Sequence, residues 1–462
     1  MYSSKIYTLF KSLSTIEKKK LKGIVIAYSQ RKDTILLYTY WIENFKQVPS
    51  TLDIEYMAKK LNLSVVILRN LLNDIGNCIE KLLLVENVIQ KPIASTYYLT
   101  QALYEKDIEK MAIPSLTNLQ KEVNKAIFDT EWNYPTQKLV QKLLYQQQRD
   151  ENSNYQAMLD ALDTYYCVEK LKLATYVNSH QTLFQIKYQQ TLLTECIQWL
   201  QRNIHQQSPL TIAYLYVYYF QNSPTWESYI LLKKQLMDYE TELPFEELKK
   251  LYLLLINLSI TEMNKGVKEY ASELFIMYQK AVQNNYLYLD ETHISRFTYS
   301  NTVAIGLRLK EYTATYYIIQ NWKTLVEEEY QEALYTFNLS RYYYEIKEYK
   351  KALKLLLNNQ YDDIHLEIAA KSIVIKIYYE TRAWDTLESV IASLKMYLRR
   401  KEVTEYHKDN YLNFIQFTYR LLELDTDNKK EVDKLKKQII ATDLAINKDW
   451  LLLQLNNNQT DV

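Results

Sequence analysis

Glycine and proline are scarce in this chain, which has 4 glycines and 7 prolines in 462 residues. Average usage would give about 30 glycines and about 20 prolines in this length. Parallel α/β folds need glycine at strand-to-helix turns and phosphate-binding loops, and antiparallel sheets need it at hairpins. The scarcity therefore argues against both classes. Because the chain is also rich in Leu, Lys, Glu, Gln and Tyr, its composition predicts an all-α protein.

Excess charge, paired cysteines and long apolar runs are absent as well. The 56 basic and 55 acidic residues nearly cancel, which argues against nucleic acid as a partner. The cysteines are odd in number and lie in apolar helical patterns, so we expect buried thiols of a reducing compartment: Cys78, Cys167 and Cys196. No stretch approaches 18 uninterrupted apolar residues. We therefore expect a cytoplasmic protein with no membrane partner.

The residue patterns of common enzyme and metal sites are missing too. None of the five histidines has a second His or Cys three or four positions later, as a helical metal site requires. The four glycines are isolated, so no Gly-x-Gly or Walker-type loop can form. We predict no catalytic residue, no metal and no cofactor, and hence a protein that is not an enzyme. Distant residues could still converge on folding, which one sequence leaves open.

Local signals divide the chain into many helices. Ser14 and Glu17 have capping-box spacing, and apolar periodicity predicts helices over 34–45, 52–61 and 64–84. Further on, Ser-Pro pairs at 208–209 and 223–224 and the prolines at 135 and 244 are typical of helix starts. We expect helices of about 12 to 20 residues joined by tight turns. The predicted regions are an irregular helical part (1–95), a helical-hairpin array (96–455) and a disordered tail (456–462).

An internal repeat is visible in the last third of the chain. The stretch FNLSRYYYEIKEYKKALKLLL, residues 337–357, aligns with the sequence that begins at Ser372, with an offset of 35 residues. The matched pairs are Leu339 with Val374, Tyr343 with Tyr378, Tyr349 with Trp384, and Ala352 with Leu387. Tyr312 occupies a related place 37 residues before Tyr349. A period in the mid-thirties indicates a helical-hairpin repeat.

These residues resemble a tetratricopeptide repeat, best over 333–395. Leu339 and Ser340 stand at the Leu-Gly pair of the first helix, Tyr349 at the aromatic after the turn, and Ala352 at the small residue of the second helix. Lys347 takes the turn position that usually holds glycine. A second stretch, LDTYYCVEKLKLATYVN from Leu162, is similar to one in uncharacterised bacterial helical-repeat proteins of this size. The resemblance implies an α-α superhelix, a solenoid of antiparallel helical hairpins.

The resemblance also implies a binding surface. In tetratricopeptide proteins the first helices of the hairpins line a concave groove that binds peptides or partner helices. Carried onto the matched units, the groove positions are Phe337, Arg341, Tyr344, Glu345, Lys376, Tyr379 and Glu380. The resemblance places Tyr343 inside the stack of hairpins and Tyr344 exposed at the groove. The alternative is that these tyrosines only pack between hairpins and that the charges form an ordinary solvated face.

The function that these observations favour is a non-enzymatic protein–protein interaction scaffold with an unidentified protein or peptide partner. An alternative is a helix-turn-helix transcriptional regulator with a helical-repeat sensor domain. That alternative depends on MAKKLNLSVVILRNLLNDI, where Asn62 and Leu63 stand at the turn and Ser64 caps the second helix. A recognition helix must offer polar and basic side chains to DNA. The helix here offers mainly Arg69, Asn70 and Asn73 among aliphatic residues, which favours an apolar hairpin.

Overall fold

The computed structural model describes residues 5–29, 31–44, 54–125, 132–140, 142, 155–359, 361–401, 405–424, 428–442 and 444–460. In these segments the chain forms 23 α-helices and two short 3₁₀ helices. The described residues contain no strand, only one isolated bridge between Tyr288 and Ile294. The prediction of an all-α protein is confirmed. Among the described helices, none has the length and apolar character needed to cross a membrane.

The chain divides into two compact units, Met1–Tyr218 and Tyr219–Val462. The division falls inside a helix and not near residue 95, where the sequence suggested a change of region. The helices of the first unit, the last of which contains the division, are α1 Lys5–Ser12, α2 Thr15–Tyr28, α3 Lys32–Asn44, α4 Ile54–Lys60, α5 Val65–Ile89, α6 Pro92–Glu105, α7 Glu109–Lys125, α8 Asn133–Val140, α9 Tyr155–Phe184, α10 Leu193–Arg202 and α11 Pro209–Asn222.

The second unit continues in the same helical pattern. Its helices are α12 Trp226–Asp238, α13 Phe245–Asn264, α14 Glu269–Gln283, α15 Arg296–Arg308, α16 Tyr312–Asn321, α17 Glu328–Glu345, α18 Tyr349–Asn358, α19 Ile364–Glu380, α20 Trp384–Arg400, α21 Glu405–Glu423, α22 Lys429–Ala441 and α23 Lys448–Thr460. The last helix continues to Thr460, whereas the sequence suggested a disordered tail over 456–462. Residues 461 and 462 lie outside the described residues.

Helix α5 is the centre of the N-terminal core. Its apolar residues recur at helical spacing, so Leu68, Ile75 and Ile79 form a buried stripe. Helices α1, α2, α3 and α4 pack against it, and Phe10 stacks on Trp41 with ring centroids 4.7 Å apart. These helices therefore share one apolar core arranged around a single long helix.

Several local predictions can be compared with these helices. The capping box of Ser14 and Glu17 is present, and Ser64 caps α5. Ser208 accepts a hydrogen bond from the backbone of Thr211 at the start of α11, as its Ser-Pro pair predicted. The prediction at 223–224 was wrong by two residues, because Thr225 is the cap of α12. The predicted ends at residues 45 and 52 lie outside the described residues.

The repeat that is visible in the sequence corresponds to three hairpins with the same turn, α15–α16, α17–α18 and α19–α20. Lys310, Lys347 and Arg382 stand at these turns with φ of 61°, 64° and 57°. In each hairpin, the residue after this left-handed one donates its backbone N–H to the carbonyl oxygen five positions before it, with N–O distances of 2.8 to 2.9 Å. This is the Schellman pattern that ends many helices. Lys347, at the turn position that usually holds glycine, therefore has a left-handed backbone conformation.

The small residue predicted at the crossing of α17 and α18 lies where expected. Ala352 is fully buried between the two helices. In the preceding hairpin the close approach uses the other helix: a Cβ on Gly306 would lie 2.2 Å from Oγ1 of Thr315 and 2.7 Å from the Phe275 ring. These two crossings thus each have a small side chain on one of their helices.

Candidate functional site

The predicted groove positions lie on two neighbouring first helices, α17 and α19. They do not share one exposed surface, because Phe337, Tyr344 and Tyr379 are buried. The prediction that Tyr344 is exposed is therefore wrong, and the neighbouring Tyr343 is half-buried instead. The charged positions differ as well: Glu345 is exposed, while Arg341, Lys376 and Glu380 are half-buried.

The buried aromatic residues form walls between successive helices. Phe337 packs edge-on against Tyr361, with centroids 6.1 Å apart. Tyr379 meets Trp384 at 5.6 Å and Trp450 at 5.3 Å, both in edge-to-face geometry. These arrangements bury large rigid rings and suit the ring quadrupoles. The tyrosines at 344 and 379 therefore pack between helices.

Glu380, the last residue of α19, is the centre of a polar cluster. One carboxylate oxygen, Oε1, accepts hydrogen bonds from the Tyr344 hydroxyl and, at 2.8 Å, from Nε1 of Trp450. The other, Oε2, accepts from the Tyr349 hydroxyl and, at 2.9 Å, from Nζ of Lys347. Both oxygens are thus occupied by groups from α17, α18, α23 and the turn between α17 and α18.

The hydrogen bonds keep the Glu380 carboxylate ionised despite its position. Burial acts to raise the pKa of Glu380, but its four hydrogen-bond donors outweigh that effect and lower the pKa. The same contacts change the pKa of Tyr344 in the opposite direction. Burial, the Glu380 charge and the hydrogen bond to it all raise the pKa of Tyr344, so its phenol stays protonated. The Glu380 carboxylate is therefore an anion that accepts hydrogen bonds from neutral donors and from the Lys347 ammonium group.

Lys376 lies beside this cluster on α19. Its ammonium group stands over the Tyr344 ring, 4.2 Å from the centroid, a distance that allows a cation–π contact. Burial, opposed in part by the charge of Glu345, lowers the pKa of Lys376 to about 8. Arg341 lies over the Phe337 ring at 5.7 Å, and burial likewise lowers the pKa of its guanidinium. Lys376 and Arg341 thus both lie over the face of an aromatic ring.

Two clefts open next to the Glu380 cluster. The first, about 460 Å³, lies between α17, α19 and α23, and it is lined by four of the predicted residues, Tyr344, Glu345, Lys376 and Glu380, together with Lys347, Ala445, Asn447, Lys448, Asp449, Trp450 and Leu453. We call it the Lys376 cleft. The second, about 870 Å³, is lined from α19, α20, α21 and α23 and includes Tyr379 and Glu380. Five of the seven predicted residues therefore line a cleft, and Phe337 and Arg341 line neither.

Sequence reasoning missed three members of the site: Lys347, Tyr349 and Trp450. The first two were recognised only as turn and packing positions of the repeat. Trp450 is 70 residues from Glu380, and no periodic signal connects them. The role of Trp450 comes from tertiary packing of α23 against α19.

Other parts of the chain offer fewer features of a site. The thiols of Cys78, Cys167 and Cys196 are all buried and free, as predicted, and burial raises the pKa of Cys167 to about 12. Among the described residues, no group of three or more His, Cys, Asp or Glu could hold a metal ion. The Lys376 cleft is thus the place where the predicted residues and a defined cavity coincide.

The helix-turn-helix segment has the local geometry that the sequence predicted. Asn62 has a φ of 55° at the turn, and Ser64 accepts a hydrogen bond from the backbone of Ile67. All three polar residues named for the second helix, Arg69, Asn70 and Asn73, are exposed. Val66, at 67% exposure, and Ile67, at 45%, are exposed beside them, so the surface has one cation and a large apolar share for one that would read DNA.

The chain matches no protein-family model. A search of curated proteins likewise finds no match.

Proposed function

We propose that the protein is a non-enzymatic scaffold that binds a peptide or helix of a partner protein in the Lys376 cleft. The observation that carries the proposal is the convergence of α17, α19 and α23 on one cavity with aromatic, aliphatic and charged walls. Tyrosine and tryptophan, both present in the cleft wall, are among the side chains favoured where interfaces are strongest. Neighbouring residues occupy both Glu380 oxygens, which supports binding over catalysis.

The proposal includes the architecture in which the cleft would be used. Three successive hairpins share the same left-handed turn, which supports a tetratricopeptide-like solenoid. In such an array each hairpin contacts its neighbours, and first helices stand side by side. A partner segment would then contact α17 and α19 together, which explains why α17 and α19 both supply residues to the cleft.

A steric variant tests this function. Leu453 lines the cleft and is 51% exposed, so Leu453→Trp should fill the cavity without disturbing the core. Leu357 on α18 is 58% exposed and lines neither described cleft, so Leu357→Trp is the matched control. Wild type and both variants are used as bait in the same cell extract. We expect a partner that wild type and the control retain and Leu453→Trp loses. A partner retained equally by all three contradicts the cleft assignment.

The helix-turn-helix alternative makes a different prediction. Binding to duplex DNA would fall steeply with salt, because phosphate contacts release counterions. Since Arg69 is one basic residue among exposed aliphatic ones, we expect nothing tighter than the non-specific range of about 10⁻⁴ to 10⁻⁶ M at physiological salt. A salt-sensitive, sequence-selective complex in the nanomolar range, weakened by Arg69→Ala, would favour the regulator over the scaffold.

A further inference from the structure

Lys376 has no ion pair, in contrast to some other half-buried lysines of the second unit. Lys233 and Lys280, for example, lie 2.5 Å and 2.6 Å from a carboxylate oxygen. No carboxylate of a described residue lies within 4.0 Å of the Lys376 ammonium, whose contact is the Tyr344 ring. A buried ammonium group without an ion pair is costly. The cleft therefore contains a cation that a ligand could neutralise.

The charged groups around Lys376 define how much negative charge the cleft accepts. Those acting on it are Glu345, Arg341, Glu380 and Lys347, and the cleft wall adds Lys448 and Asp449. Lys347 and Glu380 form an ion pair, and Lys448 and Asp449 carry opposite charges. Of the remaining charged groups, Arg341 and Lys376 are positive and Glu345 is negative. One positive charge is left over when Arg341, which acts on Lys376 but does not line the cleft, is included.

The walls of the cleft around this charge are partly apolar. Ala445, Trp450 and Leu453 line it from α23 and the segment before it, and the Tyr344 ring lines it from α17. Such walls suit a short aliphatic stem next to a charged head. A doubly charged phosphate would meet Glu345 and Asp449 with only one positive charge to offset it. A monoanion fits the charge balance better.

We propose that the Lys376 cleft binds a single carboxylate on an aliphatic stem, supplied by the partner segment, through the ammonium group of Lys376. This inference rests on the proposed function, because it names the group that the scaffold would recognise. The carboxylate could belong to a glutamate or aspartate side chain or to the end of a chain. Charge-assisted hydrogen bonds to a half-buried ammonium make this contact a large share of the affinity.

The pH dependence of binding follows from the same geometry. The pKa of Lys376 is lowered to about 8 by burial, with Arg341 and Lys347 acting in the same direction and Glu345 and Glu380 against it. Binding of a carboxylate would be present below that pKa and would be lost as the pH rises through it. The bound anion itself favours the protonated lysine, so the loss would move to higher pH in the complex.

The first test uses hexanoate as the probe. Lysines of the full-length protein are reductively methylated with ¹³C, and the resonance that disappears in Lys376→Arg is assigned to Lys376. We expect a saturable shift of this resonance with hexanoate, none with hexanamide, and little with inorganic phosphate or with chloride at equal ionic strength. The same shift with hexanamide, or no saturable shift with hexanoate, would overturn the carboxylate assignment. A stronger response to phosphate would also overturn it.

The second test identifies the source of the carboxylate and uses three labelled hexapeptides of leucine and alanine. One has a free C-terminus, one has a C-terminal amide, and one has the amide and an internal glutamate. We expect the amide without glutamate to bind at least about tenfold more weakly than one of the other two. Lys376→Met should remove that difference, and Glu345→Gln should enlarge it. Equal binding of all three peptides would overturn the proposal.

Capturing the partner with Leu453→Trp and with Lys376→Met separates this inference from the scaffold function. A partner lost in Leu453→Trp but bound equally by wild type and Lys376→Met would support the cleft and refute the carboxylate contact. A partner unaffected by Leu453→Trp would refute the cleft itself. The first outcome contradicts the carboxylate contact alone, and the second contradicts the cleft on which both proposals rest.

Discussion

The N-terminal core and the hairpins around Glu380 are both helical, but they are held together differently. Around α5, buried side chains such as Phe10, Trp41 and Leu68 meet in one apolar cluster. Between the hairpins, packing is combined with polar groups: Tyr344 and Tyr349 bond to Glu380 from different helices. The N-terminal core is therefore stabilised by packing around one central helix, and the hairpins are stabilised by contacts between successive helices.

The polar arrangement recurs elsewhere in the second unit. Glu273 accepts hydrogen bonds from the Tyr229 hydroxyl at 3.0 Å and from Lys233 at 2.5 Å. Glu240 accepts a bond from Tyr252 at 2.9 Å and pairs with Lys280 at 2.6 Å, in the same combination of tyrosine, glutamate and lysine. A tyrosine supplies a large ring for packing and a hydroxyl for the carboxylate. This explains one use of the chain's 44 tyrosines, since thin layers between hairpins offer few fully apolar positions.

The largest effect that we expect separates two adjacent tyrosines. Tyr344→Ala should lower the free energy of unfolding by about 3 to 5 kcal/mol, because it leaves a cavity in a buried position and removes a donor from Glu380. Tyr343→Ala should cost clearly less, since that ring is half-buried. Urea unfolding of both variants gives the comparison, with Tyr317→Ala, at a 64% exposed position, as control. A greater loss in Tyr343→Ala would contradict this packing.

A second variant tests the close crossing of α17 and α18. Ala352 has no exposed surface, so Ala352→Phe should overpack the crossing and cost about 1 to 3 kcal/mol or more. Lys354→Phe, on the exposed side of α18, should change stability little. The measurement is urea unfolding followed by circular dichroism. An unchanged midpoint for Ala352→Phe would show that the crossing can open without cost.

A lysine comparison sharpens the contrast between the regions. The folded-state pKa of Lys376, about 8, is below the unfolded value of about 10.4, so protonated Lys376 destabilises the fold. The destabilisation is fully present below pH 8 and fades as the pH rises toward about 10.4. Lys376→Met should therefore add about 1 to 2 kcal/mol at pH 7, and its advantage should shrink by pH 10.

The matched variant in the N-terminal core should behave in the opposite way. Lys20 lies 2.7 Å from the buried carboxylate of Glu86. Lys20→Met should lower stability at pH 7, because it leaves Glu86 without its cation. Unfolding curves at several pH values check both variants. Stabilisation by Lys20→Met, or a loss of stability in Lys376→Met at pH 7, would remove the proposed difference between the two lysines.

The smallest expected effect concerns the turns, which both regions share. Lys310 is exposed and has a φ of 61°, so Lys310→Gly should relieve left-handed strain and stabilise by about 0.5 to 1 kcal/mol. Asn62→Gly, in the turn before α5, should gain less, because asparagine tolerates this conformation better than lysine. Thermal unfolding resolves the order of the two variants. A loss of stability in Lys310→Gly would mean that its side chain contributes more than the strain costs.

Much of the local structure could be predicted from the sequence. The shortage of glycine and proline, the caps at Ser14, Ser64 and Ser208, and the offset of 35 residues all depend on neighbours along the chain. Such signals survive in any tertiary arrangement, because capping and turn geometry are local. Five of the seven predicted groove residues line a cleft, but Tyr344 is buried and not exposed as predicted.

The sequence by itself determined that this chain is helical, where many of its helices begin, that its last third repeats, and that Ala352 and Lys347 have special places in the repeat. Tertiary structure alone decided that Tyr344 is covered, that Trp450 reaches Glu380, and that Lys376 lacks a carboxylate partner among the described residues. The physical reason is that helix and turn formation depend on contacts within a few residues. Burial and charge depend on which distant helix packs alongside, and here α23 arrives some 70 residues after Glu380.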